Sequence, residues 1–302
     1  MVKNKKIKIF PIINHLFFIA LSACYVLPLV LVISASFTSE RELTSGGFSL
    51  FPRGFTLEAY QASFANGARM IRAYLVTTAQ SFLGTLLSSI FAGLAAYPLS
   101  RSNFRFKKIV TWFIFFTMLF GAGMIPNYIM FSKYYHLNNS FWIYILPGIT
   151  GGAWNTMIYR TFFKGLPESL FESAHLDGAR ELTIFFKIVV PLSTPVFASI
   201  SFMTLVGKWN DYTTSMIYIR SENLYSLQYL LQRLMKEAQF LKMIAEKAVT
   251  MGMDVDITSL SAAPQESLKY AMCVIAAGPM LLVFPFFQKY FSQGLTIGAV
   301  KG

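Results

Sequence analysis

Six apolar stretches, each long enough to cross a bilayer, constrain the fold of this chain more than any other feature. They lie at about 11–37, 73–100, 109–131, 141–163, 190–213 and 269–290. A hydrocarbon core needs about 20 consecutive apolar residues in a helix, and within lipid the backbone polar groups of a helix are bonded inside their own segment. We therefore predict an all-α polytopic membrane protein in which six transmembrane helices form a single domain over residues 1–302.

The composition excludes a soluble domain of this length. Hydrophobic residues make up 55% of the chain and charged residues only 13%, so there is too little polar surface to cover a globular core. The first apolar run is longer than the core of a signal peptide, about 7–15 residues. We expect it to remain as an uncleaved first helix. Cys24 and Cys273 both lie inside predicted helices, so their spacing indicates neither a disulfide framework nor a metal site.

Basic residues concentrate in three segments that the six-helix pattern places on one side of the membrane. These are the N-terminus, the connection between the second and third helices, and the loop at 164–189. Their members are Lys3, Lys5, Lys6, Lys8, Arg101, Arg105, Lys107, Lys108, Lys164, Arg180 and Lys187. Short loops rich in Lys and Arg stay cytoplasmic, so we predict that both termini are cytoplasmic. Topology then accounts for the net charge of +12, and we expect no binding to nucleic acid.

A segment at about 226–250 has the period of an amphipathic helix. Apolar residues recur at spacings of three and four, and Gln228, Gln232, Gln239 and Glu246 occupy the opposite face. The predicted topology places this helix outside the cytoplasm. It either lies on the bundle and the lipid headgroups or contacts a protein that delivers a solute.

The loop at 164–189 interrupts the apolar pattern with a polar stretch that predicts two short helices. Pro167 suits a first helical position, and Glu168 suits the positive end of the helix dipole. The first helix is predicted to run to about Asp177, where Gly178 permits a left-handed turn. A second helix is predicted from Arg180 or Glu181 toward Pro191. The loop either presents small residues to another protein or anchors itself at the membrane interface.

The spacing within this loop resembles the cytoplasmic signature of binding-protein-dependent ABC permeases, written EAA, three residues, G, nine residues, I-x-L-P. The matching residues are Glu172, Ala174, Gly178, Ile188 and Pro191. Ser173 and Val190 replace the usual Ala and Leu. Further segments are similar to carbohydrate-uptake permeases of the MalG-like group, and most similar to its LplC, YtcP and AlgM2-like branch. They are SFTSE at 36–40, GFTLEAY at 54–60, WNDY at 209–212, ENLYSLQYLLQ at 222–232 and the C-terminal FPFFQKYFSQGLTIGAVKG.

This resemblance implies a MetI-like type I ABC importer permease fold and a transporter subunit that is not an enzyme. It implies a second homologous permease, two ABC ATPase subunits, an extracytoplasmic sugar-binding protein and a saccharide substrate, all at a bacterial inner membrane. ATP and Mg would bind to the ATPase, and this chain would hold no cofactor. In agreement, the only Gly-Lys pair precedes Trp209 and lacks a phosphate-binding loop. The implied ATPase-coupling residues are Glu172, Ser173, Ala174, Asp177, Gly178, Ile188 and Pro191.

Polar and aromatic residues in or near the predicted helices are candidates for a saccharide path, because sugars bind through aromatic stacking and hydrogen bonds. The candidates are Gln80, Asn127, Tyr128, Trp154, Asn155, Trp209, Asn210 and Asp211. Alternatively, the first five form hydrogen bonds between helices. The alternative for residues 209–211 is anchoring at the membrane interface.

Other functions remain as alternatives. A permease for amino acids or peptides would have a similar loop. A secondary carrier would be expected to place ion ligands at mid-membrane. A membrane enzyme would need a titratable cluster, and the only dense one comprises Glu168, Glu172, His175, Asp177 and Glu181. We expect no metal site there, because this cluster lies on an exposed loop.

Overall fold

The computed structural model describes residues 9–65, 67–250 and 266–299, and across these ranges the chain is helical. The described residues contain no β-structure beyond one bridge between Thr38 and Phe55, which confirms the all-α class. By compactness the chain divides into two units. The first combines the residues up to 67 with 231–278, and the second combines 68–230 with the residues from 279 onward.

The helices are numbered here in chain order. They are α1 (Ile9–Ser36), α2 (Glu40–Gly46), α3 (Glu58–Ser63), α4 (Gly67–Ser100), α5 (Lys107–Leu119), α6 (Met124–Ile129), α7 (Gly152–Lys164), α8 (Glu168–Leu176), α9 (Glu181–Ile184), α10 (Val190–Leu192), α11 (Thr194–Trp209), α12 (Thr213–Tyr218), α13 (Leu227–Thr250) and α14 (Glu266–Ala299). Shorter 3-10 turns lie at Phe141–Tyr144, Leu146–Gly148 and Glu222–Leu224, and π turns at Met130–Tyr134 and Phe185–Val189.

Three helices of the described residues are long and apolar enough to span a membrane by themselves. They contain the segments Ile13–Ser36, Gly67–Ser100 and Glu266–Tyr290, and they correspond to the first, second and sixth predicted helices. Two bent pairs raise the number to five if each pair is one span. The predicted count of six helices is therefore not confirmed by the structure.

The two bends have local causes in the sequence. The axis turns by 109° between Lys107–Leu119 and Met124–Tyr134, where Gly123 adopts a φ of +82° that ends one helix and starts another. A second bend of 83° separates Glu181–Leu192 from α11. Two prolines flank it, Pro191 and Pro195, and each lacks the N–H that would continue the helical hydrogen bonds.

The fourth predicted helix, 141–163, is wrong as a continuous helix. Its first part forms two 3-10 turns, and only the 13 residues of α7 are α-helical. Gly151 and Gly152 both have positive φ values. A Cβ atom on Gly151 would lie 2.6 Å from the Ser88 carbonyl oxygen, so this glycine allows the chain to approach the backbone of α4 closely.

The segment predicted as an amphipathic helix forms α13, Leu227–Thr250. Leu227, Leu230 and Leu231 at its start are buried. Farther along, four apolar side chains are exposed, namely those of Phe240, Leu241, Met243 and Ile244. Of the predicted apolar face, the side chains at the start of the helix are therefore buried, whereas those of Leu241 and Ile244 are exposed.

In the first unit, two segments that carried the resemblance pack against each other. Thr38 bridges Phe55 in antiparallel fashion, and the Thr56 N–H donates to the Phe37 carbonyl oxygen at 3.0 Å. The ring of Phe37 stacks on Tyr60 with centroids 5.0 Å apart. These pairings explain why SFTSE and GFTLEAY occur together, because each segment supplies half of one contact.

The carboxylate of Glu40 caps the start of α14 in the same unit. It accepts hydrogen bonds from the backbone N–H groups of Glu266, at 2.9 Å, and Ser267, at 3.0 Å, and from the Ser267 hydroxyl at 3.0 Å. The first N–H groups of a helix lack partners within the helix, and a negative charge suits this end of the dipole. Glu40 therefore satisfies both requirements of the last predicted transmembrane helix.

We predict that Glu40→Ala lowers the stability of the detergent-solubilised protein by about 1–2 kcal/mol, because α14 loses its cap and a favourable charge. The thermal unfolding midpoint measures this effect. Glu42→Ala is the matched control, since this exposed glutamate lies on the same short helix α2. Equal midpoints for the two variants would contradict the capping role.

Candidate functional site

The loop at 164–189 contains the helix that the sequence predicts there. The helix α8 runs from Glu168 to Leu176, directly after Pro167. It ends as expected, because Gly178 has a φ of +73° and the Ala179 N–H donates to the Ala174 carbonyl oxygen at 2.9 Å. A Cβ atom on Gly178 would meet no atom within 4 Å. The glycine is therefore required by its backbone conformation and not by contacts within the chain.

One face of α8 is buried inside the second unit, to which the helix itself belongs. Phe171 and Ala174 are only 3% and 7% exposed, and they belong to a core cluster with Tyr97, Phe163 and Phe185. We call this group the aromatic cluster; its other buried members are Ala92, Ala96, Tyr159, Ile184, Val189 and Ile200. The expectation that Ala174 presents a small surface to another protein is therefore wrong. Its small size instead lets α8 pack closely on its own bundle.

The opposite face of α8 is exposed. It carries Glu172, Ser173, His175, Leu176 and Asp177. Glu172 forms no ion pair within the part of the chain that the structure describes. Leu176 is 89% exposed, and covering an exposed apolar side chain with a partner is favourable. This face thus combines carboxylates with one apolar side chain, which suits a basic cleft with an apolar centre.

Sequence reasoning missed Leu176 as a member of this face. A signal was available, because Leu176 follows the buried Ala174 by two residues. That spacing turns a side chain to the far side of a helix.

The second half of the signature lies on the next short helices. Ile184, Phe185 and Val189 are buried, while Ile188 is half-buried against the aromatic cluster. Pro191 is exposed and lies at the 83° bend before α11. The signature residues therefore divide into two kinds: Ala174 and Ile188 pack inward, whereas the side chains of Glu172, Ser173, Asp177 and Pro191 are exposed, as is Gly178.

Polar contacts attach this loop to the end of α4. The Tyr97 hydroxyl donates to Glu181 Oε2 at 2.6 Å, and the Ser102 hydroxyl donates to Glu168 Oε1 at 3.0 Å. The Arg101 guanidinium lies 3.6 Å from the ring centre of Phe171. Burial lowers the pKa of Arg101 from its ordinary value, but an arginine remains charged at any physiological pH. Two of the loop carboxylates are therefore bound by the chain itself.

The acidic residues and His175 do not form a metal site. Among the described residues, no group of three or more His, Cys, Asp or Glu side chains could hold a metal ion. His175 Nε2 lies 3.6 Å from Glu181 Oε1, while Glu168 and Glu181 are bound to Ser102 and Tyr97.

Two of the candidates for a saccharide path, Gln80 and Asn155, connect helices, whereas a third, Asp211, makes a local contact. The Gln80 amide donates to the Lys208 carbonyl oxygen at 3.1 Å, and the Asn155 amide donates to the Thr204 hydroxyl at 3.4 Å. Asp211 accepts a hydrogen bond from the Thr214 N–H at 3.0 Å, at the start of α12. These contacts support the alternative of hydrogen bonding between helices for Gln80 and Asn155.

The other five candidates lie in different surroundings. Trp209 is only 2% exposed, so the interpretation of this residue as an interface anchor is wrong. Asn127, Trp154 and Asn210 are exposed, and Tyr128 stacks on Tyr218 with centroids 5.6 Å apart. Trp154 lines an apolar groove of about 560 Å³, and Phe115, Met118 and Phe162 also line it. The structure therefore does not bring the eight candidates into one site.

Lys208 makes a half-buried polar contact that sequence reasoning missed. Its ammonium donates to the Tyr144 carbonyl oxygen at 3.0 Å. A Cβ atom on Gly84 would lie 2.7 to 2.9 Å from the end of the lysine side chain, so the glycine makes room for it. A lysine inside an apolar stretch was the available signal.

Comparisons with known proteins concern the chain as a whole. The family model "Binding-protein-dependent transport system inner membrane component" matches residues 84–297. The permease protein YtcP of Bacillus subtilis, named for polygalacturonan/rhamnogalacturonan transport, is 36% identical over 98% of this chain and 100% of its own length. Protein LplC of the same species is 34% identical over 100% of this chain and 98% of its own.

A solved structure is also similar. It is a bacterial ABC transporter involved in the import of the acidic polysaccharide alginate. The match has a TM-score of 0.75 and 27% identity, and covers 96% of this chain and 99% of the solved one. The resemblance that the sequence indicated is thereby confirmed, including a transporter subunit rather than an enzyme. The chain belongs to the binding-protein-dependent transport system inner membrane components, the membrane-embedded permeases of ABC transporters.

Proposed function

We propose that this chain is the permease subunit of an ATP-driven importer of oligosaccharides. It forms half of the transmembrane pathway and couples to an ATPase through residues 167–191. One observation carries the coupling: α8 has one face buried in the aromatic cluster and an opposite face, with Glu172 and Leu176, that is exposed. A helix fixed on one side and exposed on the other is suited to receive a partner.

The substrate class rests on the named relatives. YtcP is named for polygalacturonan and rhamnogalacturonan, and the solved neighbour imports alginate. All three are polymers of many sugar units, so we propose that an oligosaccharide crosses here. An extracytoplasmic sugar-binding protein delivers it from the outside, and a second homologous permease supplies the other half of the pathway.

The mechanism follows from the exposed face of α8. Two ATPase subunits bind ATP and Mg beneath the permeases, and a basic residue of the ATPase pairs with Glu172. Closure of the ATP-bound dimer displaces α8 and α9, and the bundle then changes between inward-facing and outward-facing states. This chain contributes a two-state element and no chemistry of its own.

The proposed topology has six crossings and both termini in the cytoplasm. The fourth crossing combines the 3-10 turns at Phe141–Gly148 with α7, whose 13 residues span about 20 Å. The 164–189 loop then lies inside, and α13 lies outside. Asn127, Tyr128, Trp154 and Asn210 remain candidates for contact with the saccharide or with the partner permease.

We predict that Glu172→Lys abolishes both transport and association with the ATPase. The new lysine would repel the basic ATPase residue with which Glu172 is proposed to pair. Insertion into the membrane should be unchanged. Co-purification with the ATPase subunit from membranes measures the association. Glu58→Lys is the matched control, since it makes the same charge change at an exposed position on the proposed outer side. Undiminished binding by Glu172→Lys would contradict the coupling role.

Gly178→Ala should weaken the same association and leave membrane insertion intact. The new Cβ meets no atom within 4 Å, so the change acts only through the strained left-handed backbone, at about 1–2 kcal/mol. Gly207→Ala is the control, because Gly207 has an ordinary φ and equally open surroundings. If both variants retain full association in co-purification, the turn at Gly178 does not orient α8.

Transport itself is tested in cells that lack this chain and in cells that express it. We expect the chain to restore uptake of a radiolabelled oligogalacturonide or a neutral oligosaccharide, and we expect no effect on uptake of a labelled dipeptide. The opposite result, restored uptake of the dipeptide alone, would assign the chain to the amino-acid and peptide permeases.

A further inference from the structure

Arg101 joins three elements at the end of α4 that lies beside the loop. Its guanidinium lies 3.6 Å from the ring centre of Phe171 on α8. Its Nη2 donates to the Phe163 carbonyl oxygen at 2.8 Å, at the end of α7. Its Nε donates to the Ser100 hydroxyl at 3.1 Å, in the last residue of α4. A planar guanidinium can make these contacts in fixed directions, which a lysine cannot.

Tyr97 lies one turn before Arg101 and attaches the second helix of the loop. Its hydroxyl donates to Glu181 Oε2 at 2.6 Å, at the start of α9. Its ring packs 5.7 Å from that of Phe185 and 6.4 Å from that of Phe171. The two residues together therefore connect α8 and α9 to the same turn of α4.

A third contact joins α7 to the end of α4. Arg160 on α7 donates from Nε to the Leu99 carbonyl oxygen at 3.1 Å. All three contacts meet at residues 97–101, at the end of α4.

The far part of α4 also makes polar contacts. The Thr77 hydroxyl accepts from the Leu227 N–H at 2.7 Å, and Arg69 pairs with Glu222 at 2.8 Å. With 34 residues, α4 is about 50 Å long. It therefore links the loop to the 222–227 segment, which lies outside the cytoplasm in the proposed topology.

The orientation of Arg101 is not favoured by hydrogen bonding alone. Its Nη1 is buried and has no hydrogen-bond partner among the described residues. A buried donor without a partner costs stability. Arg101 therefore contacts α7 and α8 in an orientation that leaves one of its own nitrogens without a hydrogen bond.

We propose that Arg101, together with Tyr97, is the joint that transmits movement of α8 and α9 to α4. Arg101 is then a positioning residue for transport. This inference rests on the proposed coupling to an ATPase. It predicts that without the guanidinium the ATPase still binds at α8. The nucleotide-dependent conformational change at the opposite end of α4 is then lost or reduced.

The test uses the assembled importer in proteoliposomes, with Cys24 and Cys273 replaced by Ser because both are exposed. A reporter is introduced as Arg220→Cys, at an exposed position near the far end of α4. Its rate of reaction with a membrane-impermeant maleimide is measured with and without ATP, Mg and vanadate, which trap the closed ATPase. Labelling from outside the vesicle also reads out the proposed topology.

We expect Arg101→Met to keep the ATPase bound and to lower the nucleotide-dependent change in labelling by about fivefold or more, as for loss of a coupling free energy. Arg101→Lys and Tyr97→Phe should give intermediate values, because each removes part of the contacts. Arg105→Met is the matched control, since Arg105 is exposed on the same connection. It should respond like the unmodified protein.

A full nucleotide response in Arg101→Met would overturn the inference, and so would loss of ATPase binding, which would make Arg101 part of the docking surface. If Arg101→Met fails to insert into membranes, unchanged responses in Arg101→Lys and Tyr97→Phe overturn it instead. Failure of the unmodified importer to bind the ATPase or respond to nucleotide is a different result, because it refutes the proposed function itself.

Discussion

The contact between Phe171 and the aromatic cluster determines how the loop at 164–189 is presented. Phe171 is buried among Tyr97, Phe163 and Phe185, so α8 cannot rotate without exposing a large apolar side chain to water. The orientation of Glu172 and Leu176 follows from this burial, since they lie on the other side of the same helix. The proposed contact of the loop with an ATPase depends on this orientation.

Local chemistry made the loop predictable from sequence. Pro167, Glu168 and Gly178 mark the ends of α8 through rules that involve only the neighbouring backbone. The apolar period likewise located α13. Ala174 was interpreted wrongly because a small residue is equally suited to a contact within the chain and to one with a partner. Its spacing from Phe171, three residues along a helix, places both on one face and favours the internal contact.

The interrupted helices were less predictable, because hydropathy records the length of an apolar stretch and not its direction. Residues 109–131 are uniformly apolar, yet the φ of Gly123 turns the axis within them. The same holds for residues 141–163, where the break depends on the approach of Gly151 to the backbone of α4. The polar candidates were ambiguous for a related reason, since an amide in lipid needs a partner whether or not a sugar passes. Gln80 and Asn155 found that partner on another helix.

The 83° bend before α11 has a geometric consequence for the signature proline. Pro191 lies where the segment Glu181–Leu192 meets α11 almost at a right angle. A force along the first segment, which contains α9 and α10, would therefore tilt α11. Under the same force a straight helix would slide along its own axis, and the helices beside it would keep their positions.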